Sequence, residues 1–275
     1  MNLKSRLLSG IRALGGAPFI DYCHYLVVRI LKSPANRRFK VQYQDIPLPP
    51  TYLVYESFQM DYRRYYLGGQ ETAKWIKELV SPYILTENLH ILDWGCGPAR
   101  VIRHLPTLFG ASHAYYGCDY NPATIAWCQE NIKQVSFSLN DISPPLPYDN
   151  RFFDVVYGIS IFTHLSEESH LLWSRELQRI LSPNGILLLT THGEAFKEKL
   201  TPEECRTFDA GKLVIRSKAK EGQRMFGAFH PPSYLRALFG NSGLEILKHI
   251  GGKKQAHYIE QDTWILKKIS NSHVA

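Results

Sequence analysis

The sequence predicts an α/β protein, a mostly parallel sheet with helices on both faces, and three observations carry that prediction. Residues 89–101, Leu89-His90-Ile91-Leu92-Asp93-Trp94-Gly95-Cys96-Gly97-Pro98-Ala99-Arg100-Val101, read as strand, tight turn and helix, the opening unit of a nucleotide-binding sheet. Further short apolar runs at 115–119, 153–159 and 186–189 alternate with helix-compatible stretches, the rhythm of βα units. Helix-start signals fall at the junctions: Asn121-Pro122, Ser81-Pro82, and the capping box Thr201-Pro202-Glu203-Glu204.

In chain order, Leu3, Leu7, Leu8, Ile11 and Leu14 share one helical face with Lys4, Arg6 and Arg12 off it, the pattern of a short basic amphipathic helix. A second apolar piece, Phe19 to Leu31, is interrupted by Asp21, His24 and Arg29 and is too charged to span a bilayer. It also lacks the continuous apolar core of a secretory signal. Ile46-Pro47-Leu48-Pro49-Pro50 reads as a stiff linker. Residues 1–50 are therefore expected to be a basic extension and 51–275 the main domain. Tyr52, Tyr55, Phe58, Tyr62, Tyr65 and Tyr66 crowd the stretch before the helix Thr72–Val80. The helix after Asn121-Pro122 runs to about Asn131. Past the fifth strand, 193–230 reads as an insertion, a place where acceptor lids are built. Pro232–Phe239 reads as the last helix, and Leu244–Ile250 and Thr263–Ile269 as the last two strands.

Spacing decides what the glycine turn holds. A dinucleotide fingerprint needs a small residue at position 100, where Arg100 stands. The series Asp93-x-Gly95-x-Gly97-x-Ala99 instead resembles motif I of the class I S-adenosylmethionine-dependent methyltransferases, with Ala99 in place of the third glycine. Tyr115–Asn121 resembles that family's second strand, ending in an acid 26 residues after Asp93. Ser138-Leu139-Asn140-Asp141-Ile142 resembles the segment that closes on adenine. Phe152–Leu165 resembles strand four and its loop, and Leu181–Leu189 the turn into strand five, so the likeness covers about residues 70–192. The resemblance implies a Rossmann-like fold with seven strands, an antiparallel edge pair, and S-adenosyl-L-methionine as cofactor. Carried over by position, it implies cofactor binding by Asp93, Gly95, Cys96, Gly97, Asp119, Tyr120, Asn140, Asp141, Ile142, Ile159 and Ser160. Asp93 would face the ammonium group, Asp119 the ribose hydroxyls, Asp141 the exocyclic amine and Ile142 the adenine ring. Arg63 and Tyr66, ahead of the first strand, are further candidates to cover the sulfonium, and core packing is the competing reading.

Composition narrows the class. The hydrophobic content of 44% is that of an ordinary globular chain. Five cysteines, Cys23, Cys96, Cys118, Cys128 and Cys205, share no ligand spacing, so neither a disulfide framework nor a metal site is expected and a reducing cytoplasm is the default. The net charge of +7 is concentrated in residues 1–40, with eight Lys/Arg against Asp21; the rest balances at 24 each. That argues against a nucleic-acid cleft in the body and places any electrostatic partner at residues 1–40, either a neighbouring protein surface or a membrane surface to which the enzyme would be peripheral.

For chemistry, His164 after strand four and His192 after strand five stand where a base could deprotonate an acceptor; His230 is a weaker third. The loop after strand four, Gly158-Ile159-Ser160-Ile161-Phe162, lacks the Asn/Asp-Pro-Pro-Tyr motif of base-amine methylation, and Pro144-Pro145-Leu146-Pro147-Tyr148 lies before the strand. No cysteine follows a proline, against cytosine C5 chemistry. Asp154 precedes most of strand four, against a metal-assisted transfer. A metal-free transfer to a hydroxyl or amine of a small molecule (a sugar, glycolipid or secondary metabolite) is the expectation. A nicotinamide-dependent oxidoreductase and a non-catalytic cofactor-binding scaffold are its rivals.

Overall fold

A computed structural model of the chain describes residues 17–58, 60–216, 220–222 and 226–269. The amphipathic helix expected over Leu3–Leu14 lies outside them. The chain forms two compact units, residues 1–68 and 69–275, and the boundary expected at residue 50 falls inside the first.

In the first unit, α1 (Ala17–Gln42) and α2 (Thr51–Phe58) pack with the opening turns of α3 (Tyr62–Val80). Asn36 joins them: its Nδ2 donates to the Met60 carbonyl at 2.6 Å and its Oδ1 accepts from the Tyr62 N–H at 3.0 Å, which satisfies an orphan donor at the start of α3. Phe39, Val54, Tyr62 and Tyr65 form the unit's core. Tyr66 belongs to it, with ring centroids 6.2 Å from Phe39 and 6.0 Å from Tyr43, while Arg63 is exposed.

The second unit is a seven-stranded sheet in the order β3-β2-β1-β4-β5-β9-β8. Strands β1 (His90–Trp94), β2 (Ala114–Asp119), β3 (Ser136–Leu139), β4 (Phe153–Gly158) and β5 (Leu181–Thr191) are parallel. β9 (Asp262–Lys268) runs antiparallel between β5 and β8 (Leu244–Ile250). Alternation along each strand splits the core in two. Ile91, Val155, Tyr157, Ile186 and Leu188 face one layer of helices, and Leu92, Val156, Leu187, Leu189 and Trp264 face the other. One layer holds the later turns of α3 and α5 (Pro122–Asn131); α6 (Glu167–Ile180) and α8 (Pro232–Asn241) form the other. Asn121 caps α5 as expected, its Oδ1 accepting from Ala123 and Thr124 N–H.

Two expected helix starts do not form. Ser81-Pro82 opens only the 3₁₀ turn Ser81–Tyr83, and Ser81 Oγ donates back to the Lys77 carbonyl at 2.6 Å, so the pair closes α3. The glycine turn leads into turns, the 3₁₀ segment Ile102–His104, and the short α4 (Leu105–Phe109).

The insertion after β5 has its own small core of Phe196, Phe208, Val214 and Phe229. It contains α7 (Pro202–Asp209), with the Thr201/Glu204 capping box formed, and the hairpin β6 (Val214–Arg216) to β7 (Gly227–Phe229). Glu204 receives both Nε and Nη2 of Arg216, at 2.8 and 2.6 Å, which holds its carboxyl down at about 2.

Candidate active site

The site begins where β1 ends. Gly95 and Gly97 have φ of +73° and +49°, and Ala99 follows at +56°. A Cβ on Gly95 would overlap the Ile161 side chain, so the turn must be bare there. A Cβ on Gly97 would meet no protein atom, leaving open space beside the backbone. The turn is tied down by its neighbour strand: Gly95 and Cys96 N–H both donate to the Cys118 carbonyl at 2.9 Å, and Gly97 N–H donates to Asp119 Oδ2 at 3.0 Å. The expectation of a helix directly after the tight turn is therefore corrected. No helix starts at the turn, and these amides are already bonded to the end of β2.

A cleft of about 480 Å³, partly open to solvent, lies over the carboxyl ends of β1, β2 and β4. Of the residues expected at a cofactor, Gly95, Asp119, Tyr120, Asn140, Asp141 and Ile142 line it. Asp119 accepts from the Gly97 N–H through one oxygen and from the Asn121 N–H at 2.9 Å through the other. Asn140 Nδ2 donates to the Asp141 carbonyl at 2.6 Å, which fixes the amide's orientation, and leaves Oδ1 buried without a partner. An orphaned acceptor in a cleft suits a ligand bearing N–H groups. Asp93, Cys96, Gly97, Ile159 and Ser160 are not among the residues that line it, and Ile161 takes the place on the cleft expected of Ile159 and Ser160.

Asp93 is buried, and burial pushes its carboxyl up to about 7, with Tyr157 and the Arg100 guanidinium pulling the other way. Arg100 also donates to Thr72 Oγ1 at 3.0 Å. A buried, under-compensated carboxylate favours an arriving cation.

His164 borders the cleft, its Nδ1 3.0 Å from the Phe226 carbonyl. That acceptor places the proton on Nδ1 and makes Nε2 the basic nitrogen of the neutral ring. His192 does not line the cleft. It stacks on Phe196 at 4.1 Å, bonds the Ala228 carbonyl at 3.2 Å, and is pushed down to about 3 by burial and by the nearby His164. His230 is fully buried, its Nε2 3.3 Å from that of His170.

Behind the wall runs a ring of hydrogen bonds. Ser160, at φ +65°, donates its N–H to Thr190 Oγ1 at 2.8 Å; Thr190 donates to Gln261 Oε1 at 2.6 Å; and Gln261 Nε2 donates to Ser160 Oγ at 2.7 Å. Thr163 Oγ1 lies 2.8 Å from Ser160 Oγ and donates to the Ser160 carbonyl at 2.6 Å.

Residues 91–185 match the family described as a methyltransferase domain. Residues 91–185 thus resemble a methyltransferase domain, a match over about a third of the chain. The match supports S-adenosyl-L-methionine as the cofactor. Over 128 residues the chain is 28% identical to a trans-aconitate 2-methyltransferase of Variovorax paradoxus, covering 46% of this chain and 47% of that one. Over 140 residues it is 29% identical to a phosphoethanolamine N-methyltransferase of Plasmodium falciparum, covering 50% of each. The chain thus spans about half the length of the curated relatives it matches. The solved magnesium protoporphyrin IX methyltransferase of Synechocystis, with bound S-adenosylhomocysteine, superposes with a TM-score of 0.52 at 18% identity, over 88% of this chain and 98% of that one. That likeness shares the fold.

Sequence reasoning missed Trp94, Ile161, Leu165, Trp173 and Gly222 on the cleft wall, and Gln261 behind it. Trp94 and Trp173 sit in strand and helix patterns that read as core, Ile161 and Leu165 lie in the loop after β4, and Gln261 carries no local signal. Among the described residues no group of three or more His, Cys, Asp or Glu could hold a metal ion, all five cysteines are free, and no helix is long and apolar enough to cross a membrane.

Proposed function

We propose that the protein transfers the methyl group of S-adenosylmethionine to a hydroxyl or amine of a small molecule, such as a sugar, glycolipid or secondary metabolite. The observation that carries the reading is the cleft in which the orphaned Asn140 Oδ1 and the Asp119 carboxylate stand together, close to the buried Asp93. A buried acceptor without a donor beside carboxylates suits a nucleoside that brings an amine, hydroxyls and positive charge. When bound, the cofactor supplies an electrophilic methyl on a sulfonium. Asp119 would take the ribose hydroxyls, Asn140 and Asp141 the exocyclic amine, and Ile142 and Tyr120 the faces of the ring. Asp93 would answer the ammonium group through the glycine turn. The small-molecule acceptor is supported by relatives named for trans-aconitate and phosphoethanolamine.

His164 lines the cleft with its Nδ1 turned to the Phe226 carbonyl, and we assign it the base. His192, neutral and weakly basic, packs behind it. Most of the acceleration would come from holding the acceptor in line with the methyl group, so the base adds about 10²-fold.

Titration calorimetry with S-adenosylhomocysteine tests the cofactor half: micromolar binding is expected, weakened at least tenfold by Asp119→Ala. Incubation of methyl-labelled cofactor with panels of hydroxyl and amine metabolites tests the other half. Absence of heat with the parent protein would overturn the reading.

A further inference from the structure

The first unit presents a surface that methyl transfer does not use. Helix α1 has two unlike faces. The inner one is fully engaged within the unit: His24 Nδ1 lies 2.8 Å from Tyr55 Oη, Lys32 pairs with Asp61 at 2.8 Å, Asn36 holds the start of α3, and Phe39 stacks on Tyr43 at 4.5 Å. A helix docked this firmly on one side is expected to be polar on the other.

It is not. Leu26, Val27, Ile30 and Leu31, at helical spacing i, i+1, i+4 and i+5, stand in solvent, Leu26 and Ile30 opposite the inner face and Val27 and Leu31 on its flank, with Ile30 and Leu31 at 72% and 71% exposure. Tyr22 and Val41 extend the stripe at either end, along about 30 Å of helix. Arg29, Arg37 and Arg38 are exposed beside it, and the helix sequence contains one acid, Asp21. Single exposed apolar residues are ordinary; a contiguous apolar ridge edged by arginines is a contact surface.

We propose that this face of α1 lies on an anionic lipid surface, the apolar side chains reaching into the headgroup boundary and the arginines meeting lipid phosphates. Charge selects this occupant over a second copy of the chain. An isologous contact would set the same arginines against each other with no acid on the face to offset them. The sequence of residues 1–14 repeats the chemistry, with Leu3, Leu7, Leu8, Ile11 and Leu14 beside Lys4, Arg6 and Arg12. The inference is independent of the acceptor and of the cofactor.

Co-sedimentation of the full chain with vesicles tests it. Binding is expected to equimolar phosphatidylcholine and phosphatidylglycerol, to weaken with salt, and to be absent with phosphatidylcholine alone. Arg37→Gln with Arg38→Gln should weaken it roughly 30-fold, at about 1 kcal/mol per arginine. Ile30→Glu with Leu31→Glu should abolish it while leaving the far-ultraviolet spectrum and S-adenosylhomocysteine binding unchanged, since these side chains touch solvent. No vesicle binding, or binding indifferent to both pairs, overturns the proposal. So does a parent protein that is dimeric without lipid and becomes monomeric in the Ile30/Leu31 variant.

Discussion

The side-chain amide of Gln261 donates to Ser160 Oγ at 2.7 Å across 101 residues of sequence, and so ties the loop after β4 to the start of β9. The bond matters because Ser160 occupies a left-handed conformation, and Ile161 beside it packs into the space that Gly95 leaves. Every donor in the ring has one direction available: Ser160 N–H to Thr190, Thr190 to Gln261, Gln261 back to Ser160, and Ser160 Oγ–H to Thr163, whose own hydroxyl proton goes to the Ser160 carbonyl. Gln261→Leu breaks two bonds and strands Thr190 and Ser160. Denaturant unfolding should show a loss of about 1–3 kcal/mol. Gln261→Glu keeps the shape but cannot donate when ionised, so it should lose less stability at pH 5 than at pH 8; equal losses would mean that the donor is not what counts.

Asp93 makes the unliganded protein pH-sensitive in an unusual direction. Its carboxyl titrates near 7 when folded against 3.8 in its ordinary state, so between those values the native state holds a proton that the unfolded chain releases. The group's contribution is intact below pH 4 and is lost as pH rises through 7, at up to about 1.4 kcal/mol per pH unit. Asp93→Asn should flatten that decline and raise the melting temperature at pH 8 above that of the parent, while weakening S-adenosylmethionine binding. For the parent, calorimetry in buffers of different ionisation enthalpy should detect proton release on cofactor binding near pH 6.5.

His192 and His170 act with the opposite sign. Burial is the main cause that holds them down at about 3 and 4, so stability is present above pH 6.5 and drains away as the solution is acidified through that window. His192→Phe should make acid unfolding shallower and leave the pH–rate profile above pH 6 in place. Loss of the ascending limb in that variant would move the base from His164 to His192.

Ala99 holds φ at +56°, where a Cβ is costly. Ala99→Gly removes that strain but loosens the unfolded chain. The balance should still favour the variant by about 0.5–1 kcal/mol, a rise of a few degrees in melting temperature.

The parallel sheet and the main corner of the cleft were legible because both depend on short-range pattern. Asp93-x-Gly95-x-Gly97 is spaced by what a strand-to-turn transition permits, Asp119 ends a strand whose apolar run is plain, and Asn140 was reached through the resemblance of Ser138–Ile142. The capping box at Thr201 and the cap at Asn121 were equally readable, since each is satisfied within four residues. What stayed hidden is long-range. Trp173 reads as an amphipathic helix residue until α6 brings its indole N–H to the Ile142 carbonyl at 3.2 Å. Gly222 becomes part of the wall only because its N–H reaches the His164 carbonyl at 2.9 Å. Ser81-Pro82 misled for a related reason: the local signal was genuine, but too few residues separate it from β1 for a helix to follow.

Strand β9 comes late in the sequence and yet lies inside the sheet, hydrogen-bonded to β5 on one side and β8 on the other. A ribosome must therefore deliver nearly the whole of this domain before β5 gains its second neighbour, and until then Leu187, Leu188 and Leu189 present an open edge that invites pairing with another chain. The same segment brings Gln261, so the nascent polypeptide can set the loop after β4 only once that residue, 101 positions after Ser160, has been made.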